Sequence, residues 1–525
     1  FQTDRKNKYF KNGFVPEIGE IGEQLSLDKR HELKSLIQEK CLAFTAGDRD
    51  LGKCHYFRFT MPLKNDDDTA YETSRPVPYG IQSKVDDQIN SWLEQDIIEV
   101  SSSRHNIPLI IIKKSDGTVR TSLDARKLNQ RLSPDRFPLP NLRETIHSIG
   151  RKLKTGNEVY ITILDLSKGY WQVMIDRADQ SKLAFSYKNK QYVSKRCLYG
   201  VSTIPSAFCR LIMEIFHDVP DIFLYLDDIC IVSTSWDDHM KALSTLFDRA
   251  IKYGLNLSAK KSKFAVSEFT FLGFKISKEG VNVSDKHLDA MKNYPIPTNK
   301  KELKSFLGVC AFNSRLVKNA SIMLHPLHKL CSPKSPFIWT DEHTSAFEEF
   351  KTSLINSNGL IHRDEKLPLY LVTDASLNKY GGVLYQLNDD KFEPLAYHSG
   401  VFSNAERRMG SRHRELLGIV NCVRYFQYDL VGNKFTVFTD HQSLVNLMNA
   451  RNRGELSMKI LNGLIYLLNF EFDVIHKAGN DPIIQVADAL SRTPVTKDDL
   501  VAMSERDEVP DRIFHMTHMP ISNQN

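Results

Sequence analysis

The chain has 525 residues, 41% of them hydrophobic and 26% charged. That is the balance of a folded protein of about three to four domains, and it excludes a collagen-like, mucin-like or wholly disordered chain. With 70 Lys and Arg against 64 Asp and Glu, the formal charge is +6, a mild excess that suits a polyanionic partner without identifying one. The eight cysteines include no C-x-x-C pair, which excludes zinc ribbons and thioredoxin-like motifs and reads as the reduced, buried thiols of an intracellular protein. No apolar run approaches the roughly 18 residues of a membrane span. The start, Phe1-Gln2-Thr3-Asp4, has neither a signal peptide nor an initiator methionine, as expected of a processed product or a fragment of something longer.

In chain order, residues 1–80 are weakly patterned, with an exposed loop expected at Asn65–Asp68. Ile81, Val85, Ile89, Trp92 and Leu93 recur at helical spacing and predict a helix. A strand over Pro108–Ile112 and a turn at Ser115-Asp116-Gly117 follow. The stretch 104–136 gathers eight basic residues (Arg104, Lys113, Lys114, Arg120, Arg126, Lys127, Arg131, Arg136) against Asp116, Asp124 and Asp135. This concentration is either a solvated face or a surface for a polyanion. Val159–Asp165 predicts a buried strand ending in an aspartate. Ile222–Leu226 and Ile229–Val232 are apolar runs separated by Asp227-Asp228, which is hairpin spacing. Leu303, Phe306, Leu307, Cys310 and Val317 mark one face of a helix over Asn299–Val317, capped by Asn299 with Glu302. Pro333–Pro336 reads as a short linker. A second α/β pattern begins near Leu367, with a strand to Asp374, a strand around Tyr380–Gln386, a helix from Arg412 to Phe426 and a strand Phe435–Asp440. Pro494–Asn525 is polar and without periodicity, so it reads as a tail. No internal repeat is present.

The chemistry concentrates at the strand ends. A single acid there is most often a turn residue. Adjacent Asp227 and Asp228, between Phe223-Leu224-Tyr225-Leu226 and Ile229-Cys230-Ile231-Val232, are costly without a compensating cation. With Asp165 they make three carboxylates able to converge on hard divalent ions. Mg2+ prefers a few carboxylates together with substrate phosphates, and two such ions clamp the attacking and leaving oxygens of an in-line phosphoryl displacement.

These residues carry a resemblance. Tyr225-Leu226-Asp227-Asp228 resembles the Y-x-D-D box of reverse transcriptases. Leu164-Asp165-Leu166-Ser167-Lys168-Gly169-Tyr170-Trp171-Gln172 resembles their first catalytic box, in the version of gypsy-type LTR retrotransposons. Supporting blocks fall in the family order. Lys113-Lys114-Ser115-Asp116-Gly117-Thr118-Val119-Arg120 is similar to the K-K-D-G-x-x-R fingers segment, and Leu123-Asp124-Ala125-Arg126-Lys127-Leu128-Asn129 to D-x-R-x-L-N. Phe137-Pro138-Leu139-Pro140 matches the signature that follows, and Phe271-Leu272-Gly273-Phe274-Lys275-Ile276-Ser277 the F-L-G-x-x-I-S primer grip.

The resemblance implies roles. Asp165, Asp227 and Asp228 hold two Mg2+ ions, or Mn2+ in their place. Lys114 and Arg120 contact the triphosphate of the incoming nucleotide, Arg suiting bidentate contact, and backbone amides near Lys168 and Gly169 face phosphate oxygens. Tyr170 sits beneath the sugar as a gate against the 2′-hydroxyl, a core aromatic being the plain alternative. Tyr199 and Gly200 line the nucleotide pocket, and Gly273 belongs to the primer grip. Two positions depart from the retroviral pattern. Cys197-Leu198-Tyr199-Gly200 stands for L-P-Q-G, closer to the retrotransposon branch, and Val119 replaces an aromatic.

A second set of acids, Asp374, Glu415, Asp440 and Asp488, stands at element ends of the later α/β pattern. Singly each is a surface carboxylate; together they can form a second two-metal site. Thr373-Asp374-Ala375-Ser376 with Gly381-Gly382, His413-Arg414-Glu415-Leu416 and Thr439-Asp440-His441-Gln442-Ser443-Leu444 resemble, in order, the ribonuclease H boxes of the same retroelements. The glycines suit a tight strand crossing where substrate backbone approaches. His476, in His476-Lys477-Ala478-Gly479-Asn480, resembles the histidine of the H-x-x-G loop, an auxiliary proton shuttle at the leaving group. It stands somewhat further from Asp488 than the family spacing.

The expected fold is α/β (α+β): a right-hand polymerase of fingers, palm and thumb followed by a ribonuclease H-like α/β domain. The expected boundaries are fingers and palm at 1–280, thumb at 281–335, a short connection at 336–366, the nuclease at 367–493 and a tail at 494–525. The resemblance implies a DNA polymerase using RNA or DNA templates that also cuts the RNA strand of an RNA/DNA hybrid. Its partners would be a primer–template duplex, deoxynucleoside triphosphates and the hybrid, with no membrane and a homodimer on substrate left open. It further implies release from a polyprotein beside protease and integrase, and work in cytoplasmic virus-like particles. An RNA-templated RNA polymerase is opposed by the nuclease boxes and Tyr170. A domesticated nucleic-acid-binding copy without catalysis is opposed by the intact acids.

Overall fold

A computed structural model of the chain describes residues 13–47, 49–65, 67–113, 119–138, 140–156, 158–226, 228–332, 335–357, 359–442, 444, 458–478 and 481. They divide into two compact units between Ser267 and Glu268.

The first unit opens with β1 (Glu20–Ile21), α1 (Leu27–Glu39), β2 (Cys54–Phe59), α2 (Tyr79–Glu94), β3 (Ile98–Val100), β4 (Leu109–Lys113) and β5 (Val119–Leu123). It continues through α3 (Arg126–Arg131), α4 (Leu142–Lys154), β6 (Tyr160–Leu166), β7 (Val173–Ile175), β8 (Ala184–Tyr187) and β9 (Lys190–Ser194). It closes with α5 (Ile204–Phe216), β10 (Ile222–Tyr225), β11 (Asp228–Ser233), α6 (Trp236–Tyr253) and β12 (Leu257–Val266). Its main sheet has the order β1-β12-β6-β11-β10, with β6 antiparallel to both neighbours. Helices α4 and α6 pack on β11. The start of α6 follows from Ser235, whose hydroxyl accepts from the Asp238 amide, and from Asp237 and Asp238 in the first turn, where the helix dipole favours acids. Its end follows from Gly254 in the left-handed conformation. The weakly patterned first 80 residues nevertheless contain α1, which buries Leu33 and Ile37 and packs the partly buried Leu36 beside them.

The β10–β11 hairpin corrects the sequence reading by one residue. Tyr225 pairs with Asp228, so the connecting residues are Leu226 and Asp227, not Asp227-Asp228. Leu226 takes the positive φ of 55° that the tight hairpin turns favoured by strand twist require. Asp228 is thereby a strand residue with a fixed facing partner. Asp227 itself lies outside the described residues, as do the Ser115-Asp116-Gly117 turn, Lys114, Asp488 and the tail.

In the second unit a small sheet of β13 (Glu268–Phe271), β14 (Phe274–Ser277) and β15 (Val281–Val283) precedes five helices. These are α7 (Asp285–Lys292), α8 (Lys300–Asn313), α9 (Ala320–Met323), α10 (His325–Leu330) and α11 (Asp341–Ile355). The cap foreseen for α8 is present: Asn299 Oδ1 accepts from the Glu302 amide at 3.0 Å. The helix stops at Asn313, and Val317 lies beyond it. The segment 336–366 carries α11, whose Phe347 packs on Phe306 of α8 with ring centroids 4.5 Å apart. Then come β16 (Leu369–Ala375), β17 (Lys379–Asn388), β18 (Lys391–Val401), α12 (Asn404–Arg407), α13 (Ser411–Tyr425), α14 (Gln427–Leu430), β19 (Phe435–Thr439), α15 (Met458–Leu467) and β20 (Phe472–His476). The sheet order is β18-β17-β16-β19-β20, with β19 parallel to both β16 and β20. Alternation along β16 sends Leu369 and Leu371 into the core with Leu416 and Ile419 of α13, while Val372 joins Val383 and Phe438 on the other face.

Candidate active sites

In the first unit the sheet register brings two of the sequence-predicted acids together. Asp165, sixth of seven residues in β6, stands opposite Asp228 on β11. Directly opposed residues of an antiparallel pair lie about 4.5–5.5 Å apart and project to one face, so the two carboxylates share one end of the sheet. On the other side of β6, Ser258 of β12 is the register partner of Asp165. Lys261 places Nζ 3.8 Å from Asp165 Oδ2, a cation that sequence reading missed. The Lys260-Lys261 pair next to strand residues was its only signal. The other face of β6 is buried. Thr162 and His239 are fully buried and bonded at 2.8 Å, and Thr162 Oγ1 also accepts from the Ala265 amide at 3.0 Å. Burial pushes the His239 imidazole down to about 3.

Tyr170 follows Lys168, which takes φ 51°, in a short 3-10 turn over Gly169–Gln172. Its ring packs edge-on against Phe208 at 5.0 Å and lies 5.3 Å from the Tyr199 ring. Gly169 packs closely on Phe208: a Cβ there would sit 3.0 Å from the ring. Gly200 has φ 118°, and a Cβ would fall 2.4 Å from the Leu123 carbonyl. Asn129 Nδ2 donates to the Gly200 carbonyl at 2.9 Å. Tyr170, Tyr199, Gly200 and the Leu123–Asn129 block are thus one cluster. Within that block Asp124, to which the sequence reading gave no role, is buried and accepts from Arg126 Nε at 2.7 Å, from Arg126 Nη2 at 2.6 Å and from Arg75. These guanidinium bonds hold its carboxyl well below the usual range. Arg120 lies on β5 opposite Ile112. Gly273 belongs to the second unit, in the β13–β14 turn. It has φ 90°, and a Cβ would fall 2.1 Å from the His287 ring, so packing against His287 accounts for the glycine.

In the second unit Asp374, Glu415 and Asp440 converge, one carboxylate oxygen of each lying within 4.8 Å of the others. Asp374 is the sixth residue of β16, Asp440 directly follows β19, and Glu415 lies in the first turns of α13. Asp374 and Glu415 are 3% and 4% exposed, so water cannot screen their repulsion. Glu415 Oε1 accepts from the Ala375 amide at 3.2 Å, whereas Oε2 is buried without a hydrogen-bond partner among the described residues. Burial, and then the charges of Asp374 and Asp440, push the Glu415 carboxyl up to about 9. A divalent cation fits this donor set: it would supply the charge that three crowded carboxylates lack and the partner that Oε2 lacks. His476 ends β20 with its exposed ring, Nε2 being 3.2 Å from the Asp440 backbone carbonyl, so the structure places His476 beside the backbone of one acid of the cluster. The glycines correct an expectation. Gly381 and Gly382 are paired with Asp374 and Thr373 inside the sheet, and a Cβ at Gly382 would fall 2.5 Å from Cys422 Sγ of α13. Gly382 makes room for a helix rather than for substrate backbone.

Residues 112–276 match the family model described as reverse transcriptase (RNA-dependent DNA polymerase). Residues 339–437 match that of the RNase H-like domain found in reverse transcriptase. The chain is 29% identical over 474 residues to the retrovirus-related Pol polyprotein from transposon 412 of Drosophila melanogaster, covering 89% of this chain and 37% of that one. It is 29% identical over 517 residues to the corresponding polyprotein from transposon 297 of the same organism, covering 95% and 47%. The Tf2-3 transposon polyprotein of Schizosaccharomyces pombe is 29% identical over 450 residues, covering 84% and 32%. The chain thus spans less than half the length of these curated relatives. Among solved structures, the foamy viral protease-reverse transcriptase in complex with dsDNA has a TM-score of 0.76 at 24% identity, covering 87% of this chain and 95% of that one. The same protein in complex with RNA/DNA hybrid has a TM-score of 0.72 at 23% identity, covering 93% and 64%. At that identity the likeness is one of fold, and it is the fold of a right-hand polymerase with a ribonuclease H-like domain. The chain thus carries a segment that matches the reverse transcriptase model followed by one that matches the RNase H-like model, and over most of its length it is similar to transposon Pol polyproteins.

Proposed function

We propose that the chain copies RNA and DNA templates into DNA and cleaves the RNA strand of the resulting hybrid, converting the RNA of a gypsy-type retrotransposon into DNA. The observation that carries the reading is the facing of Asp165 and Asp228 across β6 and β11, inside the segment that matches the reverse transcriptase model. In the polymerase step the primer 3′-oxygen attacks the α-phosphorus of a deoxynucleoside triphosphate and pyrophosphate leaves. Asp165 and Asp228, together with Asp227, would hold Mg2+, and Lys114 and Arg120 would take the triphosphate. Tyr170, backed by Phe208 and Tyr199, would floor the sugar. In the nuclease step water attacks the RNA phosphodiester, and the RNA 3′-oxygen leaves and takes up a proton. Asp374, Glu415, Asp440 and Asp488 would hold Mg2+ there, and His476, beside Asp440, would pass the proton. The bound ions supply charge neutralisation of the phosphate and an acidified water.

The two foamy viral structures hold dsDNA and RNA/DNA hybrid, which supports primer–template duplex and hybrid as partners here. The polyprotein relatives, more than twice as long, support release beside protease and integrase, with the work done in cytoplasmic virus-like particles. The test is Mg2+-dependent extension of a DNA primer on an RNA template with deoxynucleotides, followed by cleavage of the template. Sedimentation of the same complex reads whether two copies assemble on it. Extension with ribonucleotides only, or binding without extension, overturns the reading.

A further inference from the structure

The start of α13 grips the end of β16 through two consecutive residues. Glu415 Oε1 accepts from the Ala375 amide at 3.2 Å. Arg414 Nε donates to the carbonyl of the next residue, Ser376, at 3.2 Å. The other arm of the same guanidinium, Nη1, donates to the Met409 carbonyl at 2.5 Å and reaches the Arg407 carbonyl at 3.4 Å. One half-buried side chain therefore ties three backbone segments: the turn that leaves Asp374, the end of α12, and the loop that leads into Glu415. Each bond goes to a neutral carbonyl and none to an acid of the cluster. Ion pairing therefore does not explain the contacts; their geometry locates a loop. The planar fork with donors in fixed directions is what permits this, and an ammonium cannot reproduce it.

We propose that Arg414 is a positioning residue of the nuclease site: it fixes the separation of the Asp374 and Glu415 carboxylates by clamping the 375–376 backbone and the 407–409 loop onto the first turn of α13. The crowding of the acids creates the need for such a clamp. Three carboxylates within 4.8 Å repel one another, and two of them are buried. The element ends that carry them are pushed apart unless the backbone behind them is held. Beyond Glu415's own bond to Ala375, the close packing of Gly418 against Ala375 and Tyr380, where a Cβ would lie 3.4 Å from each, and the apolar contacts of Leu416 and Ile419 with the body of β16 hold the helix to the strand, but neither fixes the 376 and 407–409 backbone.

Arg414 also carries a positive charge near the site, and charge and position make opposite predictions. If Arg414 acted only as a counter-charge, removing it would tighten the binding of a cation, and Arg414→Lys would behave as wild type. If it positions the ligands, Arg414→Met loosens cation binding, and Arg414→Lys loosens it as well, though less. The inference rests on the ribonuclease H reading, and the experiment separates the two. Mn2+ binding to the full chain is followed by the loss of the free-ion EPR signal for wild type, Arg414→Met, Arg414→Lys and Asp374→Asn. The Asp374→Asn variant identifies which bound ions belong to the nuclease site. Cleavage of an RNA/DNA hybrid and primer extension are measured in parallel. The expected result is at least a tenfold weaker nuclease-site affinity in Arg414→Met, an intermediate value in Arg414→Lys, a matching rise in the Mn2+ needed for half-maximal cleavage, and unchanged extension. Tighter or unchanged Mn2+ binding in Arg414→Met overturns the inference even if cleavage falls. Absence of hybrid cleavage by wild type overturns the nuclease reading instead. A variant that has lost primer extension as well has unfolded, and Arg414→Lys then decides: wild-type affinity in that variant overturns the clamp.

Discussion

Replacing Glu415 by Gln should abolish hybrid cleavage and at the same time make the metal-free protein more stable. The free acid prefers to be ionised above about pH 4.3 when the chain is unfolded, but in the folded chain its carboxyl is pushed up to about 9 by burial and by Asp374 and Asp440. A carboxyl raised on folding leaves stability intact below its unfolded value and costs stability progressively as pH rises through the folded value. At pH 7.5 the native state holds a proton that the unfolded chain has released. Over roughly three pH units at about 1.36 kcal/mol each, the penalty is about 4 kcal/mol. Gln has the size of the protonated acid and binds no proton, so it escapes this cost. At about 2–4 °C per kcal/mol for a domain of this size, the melting transition of the nuclease fold should rise by roughly 10 °C in EDTA at pH 7.5. The gain should shrink to a small fraction at pH 4.5, where the unfolded acid is itself close to half protonated, and in excess Mg2+, which binds wild type better than the variant. Differential scanning calorimetry of the two proteins at both pH values, with and without metal, reads all of this. A Glu415→Gln protein that melts lower than wild type in EDTA at pH 7.5 would refute the electrostatic account of the cluster.

Asp228→Asn removes one full charge from the acid pair on β6 and β11, so primer extension should fall by roughly a thousandfold while hybrid cleavage persists; near-normal extension by that variant sinks the assignment. Tyr170→Ala empties the space that the ring occupies against Phe208 and Tyr199, so discrimination against ribonucleotides should drop at least about tenfold, or about 1.4 kcal/mol. The kcat/KM ratio for a matched ribo- and deoxynucleotide pair checks it, and an unchanged ratio shows a packing residue only. His239, pushed down to about 3 by burial, lends stability that is complete above about pH 6.5 and is lost as pH falls toward 3, about 2 kcal/mol by pH 5. Denaturant unfolding at pH 7 and pH 5 should show that loss in wild type but not in His239→Leu; equal losses in both would place the titration elsewhere.

The strands that carry the acids were legible because they are short apolar runs with an acid where the run stops: Val159–Asp165 and the run that ends at Asp374 read as strands, and the structure has them at Tyr160–Leu166 and Leu369–Ala375. Helix α13 was legible to within a residue at each end, and the Asn299 cap of α8 was visible as a pattern of side chains. What stayed hidden depended on partners distant in sequence. Helix α1 has too few apolar residues to announce itself and is held by Leu33 and Ile37 against a core built from later segments. Strand β18 mixes Lys391, Glu393 and His398 with apolar residues and exists because β17 supplies its hydrogen bonds. The one-residue error at the β10–β11 turn came from treating the two aspartates as the natural turn residues. A leucine with φ 55° is the less obvious choice, and only the register reveals it. At the sites the acids could be named from the motifs, whereas Lys261, Arg414 and the Asp124 clamp could not. Their roles are set by which backbone or carboxylate they meet, and spacing along the chain does not encode that.

The two acid sites use the same strand device in different dielectric surroundings. In each, the leading aspartate is the sixth residue of a seven-residue central strand, so neighbouring strands satisfy the backbone while the carboxylate emerges at the sheet's end. At the first site, 41% of the Asp165 side chain is exposed and Lys261 stands nearby, so water and a lysine share the charge. At the second, Asp374 and Glu415 are buried, with Asp440 against them, and the balancing charge has to come from a bound ion or a proton. Burial thus converts one and the same arrangement into two sites of different cost. The acids of the first unit meet water and a lysine, whereas those of the second are crowded together with two of the three buried. That difference is why the second site needs a backbone clamp such as Arg414 and the first, lying in solvent, is built from register alone.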